Sequence, residues 1–173
     1  IIKGMDLGDS IRKVKGNNHL ASRAITDITL KRHEEISVES IDDRNYKSRR
    51  KCFIINSLKH PDELEAFQKV YGKSFYLLGV FSPDSARESY LRKIISKSDH
   101  KHIPTLINRD SNSSDKNGQK QRDVFVNSDY FIRYHNENTN VKLVHKLTLL
   151  TNLIFDFGVN TPTKEENAMY QAT

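Results

Sequence analysis

Two short apolar runs, "CFIINSL" (52–58) and "FYLLGVF" (75–81), are separated by about 16 residues patterned as a helix. No other feature constrains the fold as much. Antiparallel neighbours can be joined by a few residues, whereas a helical link of this length returns the chain parallel to its start. Unbroken apolar positions, in place of strict alternation, fit strands covered on both faces. The link itself reads as a helix: Pro61 suits its first turn, Leu64, Phe67, Val70 and Tyr71 form one stripe, and Gly72 ends it. A third run, "DYFIRY" (129–134), reads as another strand.

Helices fill the intervals. Residues from about Asp6 to Lys15 form one, stopped at Gly16-Asn17-Asn18. A second runs from about Asn18 to Glu35, with Leu20, Ala24, Ile25 and Ile28 along one face. Ser82-Pro83-Asp84 starts a helix reaching about Ser96, with a cap, a first-turn proline and an acid at the positive end of the dipole. Lys97 to Asn117 is polar, and Ser111 to Gly118 has the composition of a mobile loop. A short helix is expected over Gln119 to Val126 and a long one from about Thr139 to Phe157. In the long helix Leu149 and Leu153 widen the apolar arc enough to predict cover on more than one side. Thr163 and Glu166 are spaced as a capping box opening a last helix.

Strands alternating with helices predict an α/β fold, a three-layer parallel sheet flanked by helices. Two helices precede the first visible strand, the pattern of an α/β layer with its first strand removed. The chain opens on Ile1-Ile2 and not on Met, as a fragment or processed product would. Its single cysteine, Cys52, rules out an internal disulfide and a multi-cysteine zinc site. Cys52 lies within an apolar run and is expected to be a buried structural thiol, in keeping with a cytoplasmic location. No apolar run approaches the roughly 20 residues that span a bilayer. The net charge of +6 suits phosphates or nucleic acid, although Lys47, Arg49, Arg50 and Lys51 have no aromatics interleaved among them.

In parallel α/β sheets ligands sit beyond the carboxyl ends of the strands. Ser57, Leu58, Lys59 and His60 leave the first run at that edge, and Ser82 leaves the second. Lys59 could meet a phosphate as a point charge and Ser57 could hydrogen-bond one. The same turn could instead use Ser57 or His60 to cap its own backbone. Arg87, Arg92 and Lys93 on the next helix read either as a lid over phosphates or as a solvated helix face. Arg109-Asp110 carries the same two readings. His33-Glu34-Glu35 has the H-x-E spacing of zinc deaminases, but one cysteine cannot complete their P-C-x-x-C half. Asp99-His100-Lys101-His102 lacks the carboxylates of a metal site. Neither G-x-x-x-x-G-K-[ST] nor G-x-G-x-x-G occurs.

Four stretches taken in order resemble one known family. They are "MDLGDSIRKVKGNNHLASRAITDI" (5–28), "FIINSLKHPDELEAFQKVYGKSFYLLGVFSPDSARESYL" (53–91), "GQKQRDVFVNSDYFI" (118–132) and "GVNTPTKEENAMYQA" (158–172). Together they look like the anti-phage deoxycytidylate (dCMP/dCTP) deaminases, which join a P-loop, nucleotide-kinase-like domain to a zinc cytidine-deaminase domain. The resemblance implies a P-loop-kinase-like domain over residues 1–157, its P-loop and first strand lying before Ile1. Residues 158–173 would be the linker and first helix of the deaminase domain. It also implies a nucleotide-sensing or regulatory role, with Ser57, Lys59, Arg87 and Arg92 as candidate nucleotide-binding residues. No catalytic residue or metal ligand is expected in this chain, and zinc only in the deaminase domain. The partners implied are a nucleotide, that deaminase domain, a second copy of the chain and an RNA regulator, with no membrane. Two other readings stand beside it: a nucleoside-monophosphate-kinase-like enzyme, and a non-catalytic module binding a nucleotide or RNA.

Overall fold

A computed structural model describes residues 1–33, 51–111, 115–134, 140–155 and 164. The elements are α1 (Ile2–Lys15), α2 (His19–His33), α3 (Pro61–Tyr71), β1 (Leu78–Phe81), α4 (Asp84–Ile94), α5 (Ile103–Ser111), α6 (Gln121–Phe125), β2 (Tyr130–Arg133) and α7 (Asn140–Phe155). The protein is α/β, mostly helical, with a small parallel sheet of two strands. Leu78 pairs with Tyr130 and Phe81 with Arg133, and α4, α5 and α6 make the crossover between the strands. Two of the three apolar runs are therefore parallel neighbours, as their helical connections require.

The first run is not a strand. Residues 51–59 have no ladder partner among the described residues, Phe53 is exposed, and Ile54 is 91% exposed. A strand exists only through hydrogen bonds to a neighbour, and here the described ladder joins β1 to β2 alone. Cys52 is accordingly exposed, where its apolar surroundings in sequence predict burial. The second run is also less covered than its composition suggests. Leu78, Val80 and Phe81 are exposed, and only Gly79 is buried, beneath Ser128 and Phe125. A 3-10 turn over Gly72–Ser74 precedes the run, Phe75 stacks on Phe67 at 5.5 Å, and the ladder to β2 starts at Leu78.

The core lies mainly among helices: Met5, Ala21, Leu64, Phe67, Ile103, Leu106 and Val124, joined by Ile132 of β2. Helix α2 packs on α1 and α3, α5 on α4 and α6, and α7 on β2. Helix α5 falls in the segment whose polar composition predicts loop. Ile103 and Leu106 are buried three apart on one face, and that burial offsets the helix-weak Asn, Asp and Ser around them. Residues 115–118 form a turn in which Asn117 N donates to Asp115 Oδ1 at 2.9 Å and Gly118 N to Asp115 O at 3.0 Å.

Helix α4 starts without a side-chain cap: Pro83 holds the cap position and Asp84 is the first helical residue. Among the described residues helix α7 packs on β2 while Val144, Leu153 and Phe155 are exposed, less cover than its wide apolar arc predicts. A two-stranded sheet offers one narrow surface to pack against, which is too little to bury a wide apolar arc. The expected capping box at Thr163 and Glu166, the 158–173 linker apart from Lys164, Glu34-Glu35 and Lys47 to Arg50 lie outside the described residues. Among the described residues no helix is long and apolar enough to cross a membrane.

Candidate functional site

Local sequence holds the backbone around Lys59 firmly. His60 takes the N-cap of α3 in extended conformation, and its Nδ1 accepts from Asp62 N at 3.2 Å. Pro61 follows, where a missing N–H costs nothing. Glu63 completes the box: its Oε2 accepts from Lys59 N at 2.7 Å and from His60 N at 3.2 Å. His60 thus serves the backbone, one of the two roles the sequence left open for it. Ser57 has φ 78°, a left-handed conformation that costs a non-glycine residue about 1–2 kcal/mol, and it turns the chain just before Lys59.

Glu63 is itself fixed from a distant part of the chain. Arg12 of α1 is only 2% exposed. Its Nη1 lies 3.4 Å from Glu63 Oε1, its Nη2 donates to Asp9 Oδ1 at 2.6 Å, and its Nε donates to Asn117 O at 2.8 Å. A buried guanidinium needs such saturation to repay its desolvation. Asn117 Nδ2 donates to Asn17 Oδ1, and Lys120 N donates to Lys59 O at 2.7 Å. Helix α1, the turn at 115–120 and the start of α3 are therefore one hydrogen-bonded unit, with Lys59 at its edge.

Lys59 Nζ donates to Asp110 Oδ1 at 2.7 Å. Arg87, in the first turn of α4 just past the carboxyl end of β1, brings Nη2 to 3.6 Å from Asp110 Oδ2 and Nη1 to 3.4 Å from Asp84 Oδ1. The Gln121 amide lies against the same pair: its Oε1 accepts from Lys59 Nζ at 3.4 Å, and with the amide turned over its nitrogen would donate to Asp110 Oδ2 at 2.6 Å. Lysine, arginine and amide thus converge on one carboxylate, and the Lys59, Arg87 and Asp110 side chains are each 27–30% exposed. Next to Asp110, Arg109 clamps α5 to α1 through Asp6 Oδ1 at 2.7 Å and Asp9 Oδ2 at 2.8 Å. The hydrogen bonds it donates to Asp9 and then Asp6 hold its guanidinium pKa above the ordinary arginine value.

Of the four residues singled out by sequence, Lys59 and Arg87 meet across Asp110. Ser57 is exposed two residues before Lys59. Arg92 stays apart from them, bound to Glu88 Oε1 through Nη2 at 2.6 Å and Nε at 3.1 Å, with His100 Nδ1 at 3.4 Å. Sequence reasoning missed Arg12, Glu63 and Gln121 as members of this site. The P-D-E after His60 was a legible signal for Glu63 as a cap. Nothing local marks Arg12 or Gln121, whose partners lie 51 or more residues away for Arg12–Glu63 and in a different helix for Gln121.

A cavity of about 240 Å³ opens elsewhere, between the first residues of β1 and β2 and the end of α7. Tyr76, Leu78, Tyr130, Leu150 and Ile154 line it with Asp129, whose Oδ2 accepts from Leu77 N at 2.7 Å. Among the described residues its lining carries a carboxylate and no cation, a poor match for a phosphate. The convergent charges and this apolar hollow lie in different places, and the chemistry favours the charges. Among the described residues no three His, Cys, Asp or Glu side chains are grouped to hold a metal ion. No family model, no curated protein and no solved structure matches this chain.

Proposed function

We propose that this chain is the nucleotide-sensing, kinase-like portion of a deoxycytidine-nucleotide deaminase of phage defence, with Lys59 and Arg87 meeting the nucleotide phosphate. The single observation that carries the reading is their convergence, at 2.7 and 3.6 Å from one carboxylate, with Arg87 on the helix that follows the carboxyl end of parallel strand β1. That is where α/β sheets bind ligands. An aminium on a backbone held at Lys59 N, with a guanidinium opposite, supplies one point charge and one planar fork, complementary ways of meeting phosphate oxygens. The wider P-loop-kinase-like sheet and the deaminase partner belong to the same proposal and rest on the order of the four sequence stretches. The residues here do not fit a deaminase zinc centre, because one cysteine cannot give its thiolate pair. No step of deamination is assigned to them.

The test is calorimetric titration of the full-length protein with dCMP and dCTP, comparing wild type with Lys59→Ala and Arg87→Ala. Each lost charge-assisted contact should weaken binding roughly ten- to a hundredfold, about 1.5–3 kcal/mol. If both variants fold and neither changes affinity by threefold, Lys59 and Arg87 are surface charges and the reading falls.

A further inference from the structure

We infer that Asp110 is a built-in occupant of the phosphate position, an internal anion that a nucleotide phosphate must displace. The inference rests on the nucleotide reading above and adds to it a residue that sets which anions can enter. Lys59 Nζ before α3 and Arg87 Nη2 on α4 lie 2.7 and 3.6 Å from one carboxylate, and the α6 amide of Gln121, with its nitrogen turned toward it, lies 2.6 Å away. A carboxylate fills such a cluster imperfectly. It reaches Lys59 and Gln121 within hydrogen-bond range, but the Arg87 contact stays beyond it, and Arg87 falls back on Asp84 at 3.4 Å. A phosphate monoester brings about −1.5 to −2 charges at neutral pH and three acceptor oxygens, against one charge and two oxygens for Asp110. It can serve the amine, the guanidinium and the amide together. A free carboxylate ligand has no such advantage over Asp110, so the site discriminates phosphates from carboxylates.

The exchange needs only a side-chain rotation. Arg109 anchors the adjacent backbone of α5 to Asp6 and Asp9 of α1, while Asp110, a quarter exposed, has solvent to turn into. The pairs that Asp110 gives up are partly exposed and hence weak, so the competition is mild. Removing it should tighten phosphate binding about five- to tenfold.

The experiment titrates the full-length protein with dCMP, with inorganic pyrophosphate and with a dicarboxylate, in wild type, Asp110→Asn and Asp110→Ser, with thermal melts to show that each variant is folded. Asparagine keeps the shape and removes the charge; serine guards against a fold defect peculiar to asparagine. The expected result is about five- to tenfold tighter dCMP binding in both variants, a gain that Lys59→Ala added to Asp110→Asn abolishes. Pyrophosphate gaining equally places the effect on the phosphate alone, and dicarboxylate binding should appear only once Asp110 is gone. Unchanged or weaker dCMP binding in both variants, while Lys59→Ala still weakens the wild type, overturns the role of Asp110 and leaves the nucleotide reading standing. No binding of any phosphate by any folded variant overturns both.

Discussion

Replacing Glu63 by alanine removes more than a cap. Its Oε2 accepts from two backbone N–H groups, Lys59 at 2.7 Å and His60 at 3.2 Å, and its Oε1 faces the buried Arg12 guanidinium at 3.4 Å. Loss of an N-terminal capping interaction costs about 0.5–2 kcal/mol. Breaking a buried ion pair outright costs about 3–5 kcal/mol. The second figure is an upper bound here, because Arg12 keeps Asp9 at 2.6 Å and Asn117 O at 2.8 Å. Glu63→Ala should therefore destabilise by about 2–4 kcal/mol, and Glu63→Gln, which retains an acceptor for the two N–H groups, by about 1–2 kcal/mol. Urea unfolding at neutral pH measures both, and amide hydrogen exchange at Lys59 and His60 reports the local loosening. The alanine variant should also bind dCMP more weakly, since the Lys59 backbone is no longer held. A cost below about 0.5 kcal/mol for Glu63→Ala, against the range expected for a buried network, would show that Glu63 holds neither the turn nor Arg12.

Gly79→Ala would place a Cβ 2.6 Å from Ser128 Oγ and 3.1 Å from Phe125 Cε2, so it should cost about 1–3 kcal/mol by overpacking. An unchanged melting temperature contradicts that packing. Burial pushes the Tyr71 phenol above its ordinary pKa of 10.0, partly opposed by Arg32. A folded value raised above the unfolded one means that its contribution to stability is complete below about pH 10 and is lost as pH rises through the folded value. Ultraviolet titration should show one late-ionising tyrosine that disappears in Tyr71→Phe; titration of that variant identical to wild type would exclude the assignment.

How much of this was legible in the sequence depends on how far each determinant reaches along the chain. Gly16 and Gly72 end α1 and α3 at positive φ, as expected of residues that need no Cβ accommodation there. Pro61 and the stripe through Leu64 and Phe67 placed α3 correctly, and the helical links fixed the parallel sense of β1 and β2. All of these act over a few residues or one connection. Strand formation does not: "CFIINSL" and "FYLLGVF" carry the same apolar signal, yet only the second, at Leu78–Phe81, pairs in the described sheet. The ladder belongs to two segments at once, and neither run encodes its neighbour. The ion network is the extreme case. Arg12 meets Glu63 across 51 residues and Asn117 across 105, and Lys59 meets Asp110 across 51. Sequence marks Lys59 and Arg87 as charges at strand ends, a placement that holds only for Arg87, and whether they stand apart or converge is decided by where α4, α5 and α6 bring them. Coulomb interaction falls steeply with distance in water, so the packing of those helices turns scattered surface charges into one site.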